Sequence, residues 1–342
     1  MIQNITSLEI KKDKKLQNSF LNAKSKDSNI NCNIIKGNFY LDSFNYFLIN
    51  EEFQSFENLF TRDPNQNIKH FYTKKFFDNF SSNLKNFKEF KNTFVLGTSA
   101  GNNYYSNLLQ FLPRIIFINK KNIKIAIHRN SSTKFRNLIK LVMDAKKIKF
   151  SFVYLDDDFY KFIDCQMPQF LDLNTSIKIL KSLLVPKISN SSDKKIYVTR
   201  EDSSYRKIIN EADIVPILIS KGYKVINPQL YSIDEQIKIF SQADKIIAPH
   251  GSNLSNIIFC KPETKVYEVG PIFKNDYEKI FENRYKILAK KCNLNYFRFV
   301  TDTVSVSKHS DVALKYIDKN ILLNSNYYKN LIVKIKDIKE IN

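Results

Sequence analysis

The chain has 342 residues, enough for two domains that each bury a core of their own. Hydrophobic residues make up 43% of it, which excludes a disordered chain. The 54 lysines and arginines against 34 acidic residues leave a net charge of +20, which favours an anionic partner.

Residues 1 to about 30 are polar, rich in Lys and Asn and weakly periodic, and predict an irregular lead-in. From Asn31 to Asn50 the runs NCNIIKGNFYL and FNYFLIN predict strands around Gly37, a small antiparallel element. The Phe-, Asn- and Lys-rich stretch to about Phe90 yields no reading. A βαβαβ pattern follows: strand TFVLG from Thr93, a helix near Tyr104 to Asn119, strand IKIAIH, a helix near Ser132 to Lys146, and strand KFSFVYL. The Pro/Ser/Asn/Lys run near Val185 to Lys195 marks a linker, so the domains are expected at residues 1–185 and 186–342. Beyond it, short apolar runs IYV, YKVI, KIIA and KVYEV alternate with helical segments, as in a parallel sheet with crossover helices. A helix near Asn275 to Lys291, a strand NYFRFV and terminal helices complete the second half.

Polar residues in the second half fall just after strands, where ligands bind in open parallel sheets. Arg200 follows IYVT, His250-Gly251-Ser252-Asn253 follows KIIAP, and Glu268 lies inside KVYEV. Asn210 is positioned to cap a helix from Glu211, Pro216 predicts an irregular first turn, and Gly222 reads as a left-handed cap. Ser232-Ile233-Asp234-Glu235 is a capping box that starts a helix from about Ile233 to Gln242, with Gln236 near its start. Gly251 lets backbone approach a ligand, and a helix after it would offer N–H groups to a phosphate. Arg200 and Arg206 add charge and bidentate donors. Together these describe a nucleotide or nucleotide-sugar site.

The combination Arg200, Arg206, Asn210, Glu211, then Gly222, then Ser232, Glu235, Gln236, then Ala243, His250, Gly251, Asn256 and Glu268 resembles glycosyltransferase family 61 in order and spacing. The resemblance is strong over about residues 195 to 271 and weaker from Gly101 to Arg114. It implies an α/β, GT-B-like architecture: two Rossmann-like domains with parallel sheets facing a cleft, acceptor on the amino-terminal side and donor nucleotide on the carboxyl-terminal side. It further implies an inverting, metal-independent transferase. Its partners would be a nucleotide-sugar donor, which is a substrate and not a cofactor, and a glycan or lipid-linked acceptor, as in surface polysaccharide assembly in bacteria. The donor set on this reading is Arg200, Arg206, Asn210, Glu211, Gln236, His250, Gly251, Ser252, Asn253 and Glu268, with Arg200 and His250 stabilising the leaving group. One departure matters: Ser106 stands where many relatives carry His, and a serine hydroxyl without an activating neighbour is no general base. The base is therefore unassigned, and the alternatives are an inactive nucleotide- or glycan-binding protein on the same scaffold and a basic nucleic-acid-binding protein.

Each reading has a plainer competitor. Leu155-Asp156-Asp157-Asp158 has the form of a metal-binding DxD, but a surface loop is the favoured reading. Arg200 and Arg206 could pair with Glu201, Asp202 or Glu211; Asn210 and Glu211 could serve as helix cap and first-turn acid; Gln236 could be helix surface. Glu268 could be a buried strand carboxylate, with contact to ribose hydroxyls preferred. His128 is read as a packed strand terminus, His70 and His309 as surface. Of the anionic partners, a membrane surface and an acidic glycan rank above nucleic acid, since neither an RNA-binding signature nor a zinc finger is present. Cys32, Cys165, Cys260 and Cys292 are too scattered for a zinc site or a disulfide framework. No apolar run approaches membrane-spanning length and no signal-peptide core is present, so a cytoplasmic protein peripheral to the inner membrane is expected.

Overall fold

Apolar residues dominate NIKIAIH, and this run is a buried strand in the computed structural model, which describes residues 20–24, 30–43, 47–49, 86–97, 103–185, 194–274, 276–306 and 319–341. The chain divides into two compact units, Met1–Leu180 and Lys181–Asn342. Helix Leu173–Leu184 runs across the division. The lead-in before Phe20, the stretch from residue 50 to 85, the loop at 98–102, the linker at 186–193 and His309 lie outside the described residues, and His70 falls in the second of these.

In the first unit the strands are β1 (Phe20–Lys24), β2 (Asn31–Asp42), β3 (Phe47–Ile49), β4 (Lys88–Lys91), β5 (Thr93–Val95), β6 (Asn122–His128), β7 (Lys149–Leu155) and β8 (Phe159–Pro168). They form one sheet of order β1-β2-β8-β5-β6-β7, with β3 on β2 and β4 on β8. The pairs β5–β6 and β6–β7 are parallel, as the βαβαβ pattern requires. The antiparallel pairs β1–β2, β2–β3 and β2–β8 make the sheet mixed. The expected separate antiparallel element is thus part of the same sheet, because β8 offers β2 an edge to pair with. Helix α1 (Thr133–Ala145) is started by the Ser132 side chain, which accepts from Phe135 N–H, and buries Phe135, Leu138, Ile139, Val142 and Met143 along one face. The expected helix near Tyr104 to Asn119 is broken into a short α turn (Tyr104–Ser106), a π-helix (Asn107–Phe111) and a 3-10 helix (Leu112–Phe117). Pro113, which has no N–H to donate, sits where the winding tightens.

The second unit has β9 (Lys194–Val198), β10 (Tyr223–Ile226), β11 (Ala243–Pro249), β12 (Lys265–Pro271), β13 (Asn295–Val304) and β14 (Asn330–Ile332), in the order β10-β9-β11-β12-β13-β14. The first five are parallel and β14 is antiparallel to β13. Its helices include α2 (Glu211–Ser220), α3 (Ile233–Ser241), α4 (Asp276–Glu282), α5 (Arg284–Lys291), α6 (Lys319–Asn324) and α7 (Ile335–Glu340). Ile214 and Leu218 of α2 pack with Tyr197, Ile247, Val269, Leu331 and Ile338 in a core where each buried aliphatic side chain contributes about 1.5–3 kcal/mol. Gly222, with φ +82°, ends α2 in the left-handed region, and the Ser232 capping box starts α3 as expected. The segment after Gly251 is a 3-10 helix, Ser252–Phe259, and the expected helix near Asn275 to Lys291 is two helices, α4 and α5. Each unit is therefore α/β with parallel strands at its centre.

Candidate functional site

Register brings the polar residues of the second unit together. Arg200 follows β9 and His250 follows β11, its neighbour in the sheet, so both stand at the carboxyl ends of adjacent parallel strands. Ala248 of β11 is opposite Glu268 of β12, and Pro249 is opposite Val269. His250 donates its backbone N–H to Val269 O at 2.7 Å, which holds it beside the end of β12.

The imidazole of His250 is almost wholly buried and lies 2.6 Å from Glu268, Nδ1 to Oε1. The other oxygen of Glu268 accepts from the Tyr296 hydroxyl at 2.7 Å, and Arg298 Nε lies 3.8 Å from Oε1. A carboxylate surrounded by a hydroxyl donor and a guanidinium acts as an acceptor, so the bridging proton belongs to Nδ1. Nε2 takes no hydrogen bond among the described residues. Burial pulls the imidazole down to about 4, against the upward pull of Glu268 and with help from Arg206 and Arg284, so His250 is neutral near neutral pH. A leaving-group donor at this position needs a proton on Nε2; the geometry puts the proton at Nδ1. Phe273, Tyr285 and Tyr327 enclose the ring edge-on at 5.3, 5.1 and 5.8 Å between centroids.

Arg200 lies against Gly251: a Cβ built on Gly251 would overlap Nη1 and come within 2.6 Å of Cζ. Gly251 is extended, so it is the space and not the backbone angle that calls for glycine here. The Arg200 guanidinium donates from Nη2 to Tyr205 O at 3.3 Å, and its buried Nε has no hydrogen-bond partner. Burial, and then the nearby Arg206, pull it down to about 10. Arg206 is buried in the left-handed region, φ +58°, on the ring of Tyr327 at 3.8 Å. It donates from Nε to His250 O at 2.9 Å and from Nη1 to Tyr327 O at 2.8 Å. The acids that could have neutralised the two arginines are engaged elsewhere. Glu201 and Asp202 accept from Asn227 Nδ2, and Glu211 accepts from the hydroxyls of Tyr197 and Thr199. Two guanidiniums close together without a carboxylate leave a local excess of positive charge.

Several expected donor residues face inward. Glu268 is fully buried with both oxygens engaged, which turns it from ribose acceptor into support for His250. Gln236 donates to Pro228 O at 2.8 Å and Tyr231 O at 3.0 Å and accepts from Asn256 Nδ2 at 3.2 Å, fixing the loop before α3. Asn210 does not cap α2: its Nδ2 donates to Val333 O at 2.9 Å and its Oδ1 accepts from Val333 N–H at 3.0 Å, tying that helix start to the end of the chain. Pro216 lies inside α2 without interrupting it. Ser252 and Asn253, half-buried, open the 3-10 helix next to Arg200. In the first unit Ser106 is buried and its N–H donates to Asn103 Oδ1 at 3.1 Å. Asp156 pairs with Arg129 at 2.6 Å, Asp157 with His128 at 2.9 Å, and Asp158 accepts from Phe159 N–H at 2.7 Å, as a surface loop requires. Among the described residues no group of three or more His, Cys, Asp or Glu is placed to hold a metal ion.

Residues 170–267 match the model of the family glycosyltransferase 61. The chain carries a glycosyltransferase 61 domain. A search of curated proteins found no match. The glycosyltransferase match contains Arg200, Arg206, His250 and Gly251 and ends one residue before Glu268. The resemblance read from the motifs is thereby shown, and with it the enzyme class. The cluster around His250 also takes residues from beyond the match. Tyr285 comes from α5 and Tyr296 and Arg298 from β13. Tyr327 is held by Glu278, whose Oε1 accepts from Tyr327 N–H at 2.9 Å and from the Ser325 hydroxyl at 2.7 Å, while Oε2 accepts from Lys274 N–H at 2.6 Å. The alternation in NYFRFV could have pointed to Tyr296 and Arg298, which share one side of the strand. Nothing in the local sequence singles out Tyr327 or Glu278.

Proposed function

We propose that this glycosyltransferase moves a sugar from a nucleotide-sugar donor to a hydroxyl of a glycan or lipid-linked acceptor, with inversion and with no cofactor. The observation that carries this reading is the Arg200 guanidinium, which has a buried unpartnered Nε and no ion pair among the described residues, at the strand end beside Gly251 and the Ser252–Phe259 helix. A diphosphate placed there gains charge-assisted hydrogen bonds from Arg200 and backbone N–H groups at the start of that helix, with Ser252 and Asn253 within reach of the nucleotide. As the donor bond breaks, the charge gathering on the leaving nucleotide is met by the two guanidiniums, the task a divalent ion performs in other transferases. The two α/β units support a GT-B assignment, with the donor on the second. The surplus of lysines suits an enzyme working at the cytoplasmic surface of an anionic membrane, on surface-polysaccharide precursors. No helix among the described residues is long and apolar enough to cross one.

The test is thermal stabilisation of the purified protein by UDP, GDP, CMP and their sugar conjugates, with EDTA and with Mn²⁺. Stabilisation by one nucleotide, unchanged by EDTA and lost in Arg200→Ala, is expected. Absence of stabilisation by every nucleotide, or equal stabilisation of the variant, rejects the reading.

A further inference from the structure

A histidine can serve a transfer reaction in two opposite ways, as a proton donor to the leaving group or as a proton acceptor for the attacking hydroxyl, and the two require different tautomers. In this site the tautomer follows from the surroundings of Glu268. One carboxylate oxygen receives the Tyr296 hydroxyl, the other faces Nδ1 of His250, and Arg298 flanks the pair. Every neighbour of that carboxylate donates, so Nδ1–H donates as well, and the lone pair is left on Nε2. That nitrogen has no partner among the described residues, while the ring is fixed by aromatic neighbours on three sides. The backbone oxygen of the same residue accepts from Arg206, so the positive charge is bound to the main chain and not to the ring.

Resting on the glycosyltransferase reading above, we propose that His250 is the proton acceptor of the transfer reaction, through Nε2, and that Glu268 is its positioning residue. In the step, the acceptor hydroxyl gives its proton to Nε2 as its oxygen forms a bond to the anomeric carbon. The bond from that carbon to the donor phosphate oxygen breaks, its electron pair leaving with the nucleotide beside Arg200, and the imidazolium later returns its proton to water. Glu268 stabilises the imidazolium while it lasts, as an oriented carboxylate does for a catalytic histidine. The arrangement also orders the substrates. The charged and titratable groups that face the ring are Glu268 of β12, Arg298 and Tyr296 of β13, Arg206 before α2, Arg284 and Tyr285 of α5, and Tyr327 near the chain end. Arg206 and Arg284 oppose protonation of the ring. A bound diphosphate offsets that positive charge and makes Nε2 more basic, so the donor prepares the base that the acceptor uses.

The test joins histidine-selective ¹⁵N NMR of the wild-type protein with turnover of whichever sugar conjugate of UDP, GDP or CMP binds, followed as release of free nucleotide. The expected spectrum at neutral pH shows His250 neutral with an unprotonated Nε2, and addition of the free nucleotide raises its pKa. An Nε2–H tautomer overturns the proposal without reference to any variant or substrate. In His250→Asn and Glu268→Gln, nucleotide affinity is expected to stay within about threefold while turnover falls, by about 100-fold or more for His250→Asn. The acid limb of kcat/KM should move to lower pH in Glu268→Gln. Equal losses of affinity and turnover would make His250 a binding residue and also overturn the proposal. Failure of the wild type to bind any nucleotide rejects the donor reading instead, and the spectrum still decides the tautomer.

Discussion

The guanidinium of Arg200 fills the space in which any residue other than glycine at position 251 would place its Cβ. The neighbour is the far end of a flexible side chain and the Gly251 backbone is extended, so alanine can be accommodated by moving Arg200 away. Gly251→Ala is therefore expected to leave the melting temperature within about 2 °C and to weaken nucleotide binding about 10-fold or more, since a charge-assisted hydrogen bond is worth about 1.5–3 kcal/mol. Calorimetric titration beside thermal unfolding separates the two effects.

Arg200 is held without a carboxylate and next to a second guanidinium, a condition that costs stability in the ligand-free protein. Arg200→Ala should unfold no earlier than the wild type while losing nucleotide binding by about 10- to 100-fold. Arg200→Lys keeps the charge without the fork and should recover only part of it. A variant that unfolds markedly earlier would mean that Arg200 serves the fold.

His250 binds protons less readily folded than unfolded, since its pKa falls from 6.5 to about 4. Between these values the unfolded chain carries the extra proton, so stability rises with pH; the contribution is complete above about 6.5 and is lost as pH falls toward 4, a span of about 3 kcal/mol. Urea unfolding at pH 7.5 and pH 5 should show a larger loss for the wild type than for His250→Gln, which has nothing to titrate there.

Glu278 is buried and accepts from Lys274 N–H, the Ser325 hydroxyl and Tyr327 N–H. Glu278→Ala leaves three donors without that acceptor and should cost at least about 2 kcal/mol, read as a lower urea midpoint at unchanged slope. Tyr327 is released with it, so nucleotide affinity should fall as well.

How far the chain could be read from sequence follows from how local each determinant is. The capping box at Ser232 and the left-handed Gly222 are written within four residues, and they stand as read. Parallel strands with polar residues at their carboxyl ends led directly to Arg200 and His250, because that placement is a property of the fold class. Asn210 was misread because a cap and a tertiary clamp need the same side chain, and its partner Val333 is far off in the chain. Glu268 was misread for a similar reason: a strand carboxylate faces solvent or a neighbouring strand depending on what stands opposite, and here Arg298 does. The mixed sheet of the first unit hangs on the β2–β8 pairing between distant segments, which periodicity does not encode.

The tie between Arg206 and the carbonyl of Tyr327 has a bearing on how the protein is made. Arg206 N–H also donates to Lys329 O, and Ile208 and Leu331 form a parallel bridge, so the arginine loop is shaped against residues synthesised more than a hundred positions later. A nascent chain that stops short of Tyr327 has both arginines and the histidine but nothing to hold Arg206 in its left-handed turn. Such a nascent chain does not capture a nucleotide until residues 327–331 have been made and have folded back onto the arginine loop.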